Sequence, residues 1–277
     1  MRRRGESGRH ALGPADSLVA AVGPALLLVG ALEPAWRPAV AALLGIGWVA
    51  LRTWRPAPAI AWAAALPVAV VLTWPWLLGS DTPIGDPACR DPMSIIALRR
   101  VGVAIAGTAI VAGLAAAHRS TPAELGLRRP SRVELVIGLG GGVLLVVAGL
   151  AIGPAIARPL FGPLAFPVPV AALVPAVAFG LANGLLEELL YRGALQGWLG
   201  RVAPTAVAIG FQALVFGIVH VGPEVLNLVP VHVALLTAVG LAGGLARWRF
   251  GSLWIPAGIH VGADIALYVG LACRPAG

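Results

Sequence analysis

Three carboxylates stand where a chain of this composition has little reason to keep them. Glu187, Glu188 and Asp264 lie inside long apolar runs, whereas the other acidic residues, among them Asp81, Asp86, Asp91, Glu124 and Glu224, fall in polar loops or at the edges of such runs. An ionisable side chain at membrane depth costs at least ~2.5 kcal/mol, so it is kept by pairing or by function. The remaining titratable groups of the same region are Arg192, His220, His232 and His260. A carboxylate beside imidazoles can activate water as a general base, hold a metal ion or relay protons.

Spacing narrows the partners. Glu188 and Arg192 are separated by i to i+4, the favourable order for a helical ion pair. Glu187 projects ~100° away from Glu188 and has no cation near it in sequence, so it needs another partner. The helix bearing it ends near Gly200 and the next begins near Pro204, which makes an antiparallel hairpin. Glu187 lies thirteen residues before Gly200, about 20 Å, and His220 sixteen after Pro204, about 24 Å, so the two side chains can be level. His260 and Asp264 are also i to i+4 and share one helical face. His232 has no carboxylate at helical spacing and is read as structural.

The elements that must position these groups are membrane helices. Of 277 residues, 58% are hydrophobic and 12% charged, and the mean hydropathy is +0.88, which excludes a soluble enzyme with a single anchor. Apolar windows near residues 17–33, 38–51, 57–78, 101–117, 135–157, 170–199, 204–221, 225–246 and 251–272 predict an all-α bundle of about nine spans. The count falls to about eight if the short second window is re-entrant. The glycines Gly138, Gly140, Gly141 and Gly142 lack phosphate-loop spacing and suit close helix packing.

The net charge of +8 is carried entirely by arginine and sits between apolar runs, which reads as topology and not as nucleic-acid binding. With the N-terminus in the cytoplasm, thirteen arginines fall inside, including Arg2, Arg52, Arg128 and Arg247, and Arg37, Arg90, Arg158 and Arg274 fall outside. Arg99 and Arg100 flank a span. Cys89 and Cys273 have no metal-site spacing, and in this topology both face outward, where they can pair in an oxidising compartment. A polar stretch at 118–134 divides the chain into an N-terminal region, 1–133, of about four spans and a C-terminal region, 134–277.

The segments EELLYR (Glu187, Glu188, Arg192), FGIVH (Phe216, His220) and HVGAD (His260, Asp264) resemble the EExxxR, FxxxH and HxxxN/D motifs of the CPBP intramembrane proteases, the CAAX protease and bacteriocin-processing (Abi) family. The resemblance spans roughly 170–270 and says nothing of the N-terminal half, which is expected to be an accessory bundle. It implies a helical membrane bundle around a polar cavity, with Glu187 as general base, His220 holding water, Glu188 and Arg192 as a supporting ion pair, Phe216 packing, and His260 stabilising the oxyanion. Position 264 departs from the commoner asparagine. Ionised Asp cannot donate to an oxyanion, so Asp264 either orients His260 or stays protonated.

The expected activity is intramembrane hydrolysis of a peptide bond in a membrane-associated or lipidated protein, in a multi-pass protein of the inner (plasma) membrane with the lipid bilayer and the substrate as its partners. No organic cofactor is implied. A divalent metal, zinc above all, is left open, with Glu187, His220, His260 and Asp264 as candidate ligands, although HExxH is absent. The alternatives are a non-catalytic bacteriocin-immunity or partner-binding membrane protein of the same family, and a proton-coupled transporter using the same carboxylates.

Overall fold

The computed structural model describes residues 12–74, 93–161, 173–220 and 229–271. Cys89 and Cys273, and the arginines at positions 2, 3, 4 and 9, lie outside the described residues. Helices account for nearly all of what is described, and no strand is present among the described residues. The order is α1 (Pro14–Leu32), α2 (Arg37–Trp54), α3 (Pro56–Leu72), α4 (Met93–Ala117), α5 (Arg132–Phe161), α6 (Leu173–Glu187), a π-helical segment (Glu188–Leu195), α7 (Gln196–Leu199), α8 (Thr205–Val219), α9 (Val229–Phe250) and α10 (Trp254–Leu271). The protein is a polytopic helical membrane bundle.

Each apolar window of the sequence corresponds to one helix, with α6, the π segment and α7 running on as one. Among the described residues six are long and apolar enough to cross a membrane by length and composition, at Pro14–Leu32, Pro34–Trp54, Ile95–Ala117, Arg132–Ile152, Leu173–Leu199 and Pro230–Phe250. The window near 38–51 is therefore longer than it reads, because a 3₁₀ turn at Pro34–Trp36 extends it. The shorter apolar helices are α3, of 17 residues, and α8, of 15. One sequence expectation changes. Arg99 and Arg100 do not flank a span but lie within α4, because the charged pair interrupts the hydropathy signal without interrupting the helix.

Close helix approach brings the site together. The most extensive contact is α5 against α10. A Cβ on Gly142 would collide with the Gly258 carbonyl oxygen, and one on Gly262 with the Gly142 backbone, so these positions must be glycine for the backbones to meet. Gly140 faces open space. On its other side α10 meets α6, where Gly180 and Gly184 lie against Val261 and Ile265. Asn183 and Glu187 share that face of α6. Helix α4 also packs along α6, and α8 packs against the π segment and α9.

The polar stretch between α4 and α5 is ordered by local chemistry. Thr121 and Glu124 form a capping box, with the Thr121 N–H donating to Glu124 Oε2 at 2.7 Å, and Ser131 and Glu134 form a second at the start of α5, with the Ser131 N–H donating to Glu134 Oε2 at 2.8 Å. Gly126, at φ +79°, takes a left-handed conformation and accepts the Leu253 N–H at 3.0 Å, which ties this stretch to the start of α10.

Candidate active site

The helix that carries EELLYR changes its winding at the motif. Regular α-helix ends at Glu187, and Glu188–Leu195 is π-helical and wholly buried. Such wide turns are rare and concentrate at functional sites. The widened turn still leaves Glu188 and Arg192 together, with Arg192 Nη1 3.0 Å from Glu188 Oε1 and both side chains almost inaccessible. The Arg192 guanidinium also lies over the Phe216 ring, 4.3 Å from its centroid. Phe216 is thus the floor of the site, touching Tyr191 edge-on and both imidazoles, His220 at 4.3 Å and His260 at 5.9 Å between ring centroids.

Glu187 and His220 meet across the hairpin. His220 caps α8, and its Nε2 lies 3.1 Å from Glu187 Oε2, while its Nδ1 lies 2.7 Å from the Phe216 carbonyl oxygen. A carbonyl only accepts, so Nδ1 carries a hydrogen and donates it. The Nε2 contact then needs one more proton, held by the imidazole or by the carboxyl, and the two groups share it.

His260 enters from α10 and lies among all three carboxylates. Its Nδ1 donates to Glu188 Oε1 at 2.9 Å, and its Nε2 lies 3.7 Å from Glu187 Oε2 and 3.7 Å from Asp264 Oδ1. The i to i+4 spacing of His260 and Asp264 therefore gives proximity without a hydrogen bond. Glu188 fixes the His260 ring. Asp264 instead accepts a hydrogen bond from Asn183 Nδ2 at 2.8 Å.

Sequence reasoning missed a second partner of Glu187 beside His220. It is Arg100, from α4, whose Nη2 donates to Glu187 Oε1 at 2.8 Å and whose Nε donates to Asn183 Oδ1. The residue lies 87 positions from Glu187, so local spacing could not have found it. Its presence within an apolar helix was the available signal. Asn183 was missed for a related reason, because an uncharged amide carries no titration and stands out less in an apolar run.

Beside the ion pair, Gln196 donates to the Gly244 carbonyl at 3.0 Å and Gln212 to the Gly240 carbonyl at 2.8 Å, which fixes α9 against the site helices. His232 lies near the start of α9. Among the described residues no group of three or more His, Cys, Asp and Glu side chains is disposed to hold a metal ion. Glu187, His220, His260 and Asp264 are hydrogen-bonded to Arg100, the Phe216 carbonyl, Glu188 and Asn183 respectively.

The arrangement offers a buried carboxylate oxygen, Glu187 Oε2, facing two imidazole nitrogens, with every flanking charge held. Residues 169–266 match the family model described as type II CAAX prenyl endopeptidase, Rce1-like. The chain carries an Rce1-like domain. Over these residues it is similar to the CAAX-type membrane endopeptidases, in keeping with the three motifs. The domain includes Glu187, His220, His260 and Asp264, and Arg100 lies before it. No curated protein and no solved structure matches the sequence.

Proposed function

We propose that the protein is an intramembrane endopeptidase that hydrolyses a peptide bond in a membrane-associated or lipidated protein, with Glu187 as general base. The observation that carries this reading is the convergence of His220 Nε2 and His260 Nε2 on Glu187 Oε2, at 3.1 and 3.7 Å, while Arg100 occupies the other carboxylate oxygen. One oxygen is thereby left to take a proton at the point where two ring nitrogens meet.

In the proposed reaction Glu187 Oε2 takes a proton from water as the water oxygen bonds to the scissile carbonyl carbon. A positioned base of this kind contributes about 10²–10⁴-fold. His220 holds the water by turning its Nε2–H from Glu187 Oε2 to the water oxygen as the water enters between them. The carbonyl oxygen gains the electron pair and is met by the Nε2–H of His260, whose ring Glu188 orients through Nδ1. The C–N bond then breaks, and the leaving nitrogen takes the proton from Glu187. Arg192 holds Glu188, and Asp264 borders the oxyanion position.

We place the N-terminus in the cytoplasm on the arginine asymmetry, with the protein in the inner (plasma) membrane, and the region 1–133 as an accessory bundle that also supplies Arg100. Comparison of C-terminal peptides between wild-type and Glu187→Ala cells tests the reading. A set of shortened C-termini present only in wild type supports it. Identical C-termini in both, with immunity or proton-coupled flux as the surviving phenotype, would replace it with a non-catalytic or transport role.

A further inference from the structure

We infer that Arg100, from the helix ahead of the Rce1-like domain, is a positioning residue whose charge offsets that of Asp264 as well as Glu187, with Asn183 as the coupling between them. Three carboxylates surround His260, and Arg192 pairs with one of them, Glu188. Glu187 and Asp264 face the imidazoles of His220 and His260, and a further cation, Arg100, reaches the same group. Arg100 bonds Glu187 directly at 2.8 Å through Nη2, and its Nε bonds Asn183 Oδ1. The opposite end of the same amide, Nδ2, donates to Asp264 Oδ2 at 2.8 Å.

The orientation of that amide is determined by its neighbours. A guanidinium only donates and an ionised carboxylate only accepts, so turning Asn183 over would set donor against donor and acceptor against acceptor. Asn183 is buried, and both ends of its amide are engaged in this relay.

A simpler account of Arg100 is a long cation reaching out of the membrane to an interface. The geometry opposes it, because the fork turns inward and both of its bonds end on site groups. The fork also assigns the two oxygens of Glu187, holding Oε1 so that Oε2 faces the imidazoles. Lysine, a point charge, would keep the attraction and lose that assignment.

The test uses the full-length protein in detergent and has two arms. In the first, unfolding midpoints are measured for wild type, Arg100→Met, Asp264→Asn and the double variant. Arg100→Met lowers the midpoint by about 4 °C or more, and adding Asp264→Asn recovers at least half of the loss, because one carboxylate leaves with one cation. Independent, additive losses overturn the inference. Should Arg100→Met not fold, Arg100→Gln, which also removes the charge and keeps a donor, replaces it with the same expected recovery on adding Asp264→Asn, and additive losses are again the contrary result.

The second arm rests on the proposed function and measures cleavage. Arg100→Lys lowers kcat about tenfold with little change in KM, since the fork positions the base and not the substrate. Unchanged kcat in Arg100→Lys beside a dead Glu187→Ala contradicts the positioning role alone. Coupled midpoints together with an active Glu187→Ala leave the charge relay standing and remove the endopeptidase reading.

Discussion

Glu187 Oε2 and His220 Nε2 stand 3.1 Å apart, joining a carboxylate in the middle of one membrane helix to an imidazole at the end of the next. The contact is possible because the hairpin between them sets thirteen residues on one side level with sixteen on the other. It also fixes a proton inventory, since the Phe216 carbonyl commits His220 Nδ1 as a donor. Replacing His220 with Phe keeps a flat ring and removes both nitrogens. Turnover is expected to fall about 10²-fold, the low end for a group that positions a transferring proton, with the unfolding midpoint nearly unchanged. Single-turnover cleavage by the purified variant measures it.

His260 is argued to act on the developing oxyanion, a charge absent from the ground state. His260→Ala is therefore expected to lower kcat by about 10²–10³-fold while KM stays close to wild type. A change confined to KM would make His260 a substrate-binding residue.

The Glu188 and Arg192 pair is sealed on all sides, with side-chain exposures of 2% and 1%. Removing one partner leaves an unpaired charge beside the π segment. Arg192→Met is expected to cost about 3–5 kcal/mol of stability, and Arg192→Met with Glu188→Leu distinctly less, because two desolvated charges leave together. Unfolding titrations of the two variants in detergent compare the losses.

The glycines of α5 give a paired prediction within four residues. Gly142→Leu forces α5 away from α10 at Gly258, two positions before His260, and is expected to destabilise by about 1–3 kcal/mol as an overpacked contact. Cleavage should fall further than stability explains, since a shift of about 1 Å at a reacting group costs roughly 10²-fold. Gly140→Ala meets nothing within 4 Å and is expected to be neutral or slightly stabilising.

His118 lies just beyond the end of α4, where its Nε2 accepts the Trp48 indole N–H at 2.8 Å as a neutral ring. Burial, then the nearby Arg201 and Arg52, lower its pKa from the ordinary value of 6.5. The unfolded chain therefore takes up this proton at higher pH than the folded one. The group's stabilisation is complete above about pH 6.5 and is lost as pH falls through the lowered folded value. The difference in unfolding midpoint between wild type and His118→Phe is expected to shrink on going from pH 8 to pH 5, and a constant difference would contradict it.

The sequence was most legible where chemistry was local or costly. Glu188 with Arg192, and His260 beside Asp264, follow from helical spacing, and the level of Glu187 with His220 follows from counting along a hairpin. The membrane bundle follows from hydropathy, since each apolar window became a helix. The Arg100 contact was hidden for the same reason that made α4 look short. A window average treats two arginines as an end, whereas the helix continues because its backbone hydrogen bonds do not depend on side-chain polarity. The π segment was hidden too, because EELLYRGAL satisfies ordinary helical spacing and only packing widens it. Why Asp264 turns to Asn183 could not be read from its i to i+4 relation to His260. That choice is set by α6 and α4, which meet it only in three dimensions.

The role proposed for Glu187 is that of base in peptide-bond hydrolysis. It is tested most directly by reconstituting purified wild type and Glu187→Gln in liposomes with a substrate found by the C-terminal peptide comparison, and measuring the initial cleavage rate of each. Glu187→Gln keeps the side-chain shape and loses the basic oxygen. A folded variant whose rate is lower by about 10²–10⁴-fold is expected. A Glu187→Gln protein that cleaves at the wild-type rate would contradict it.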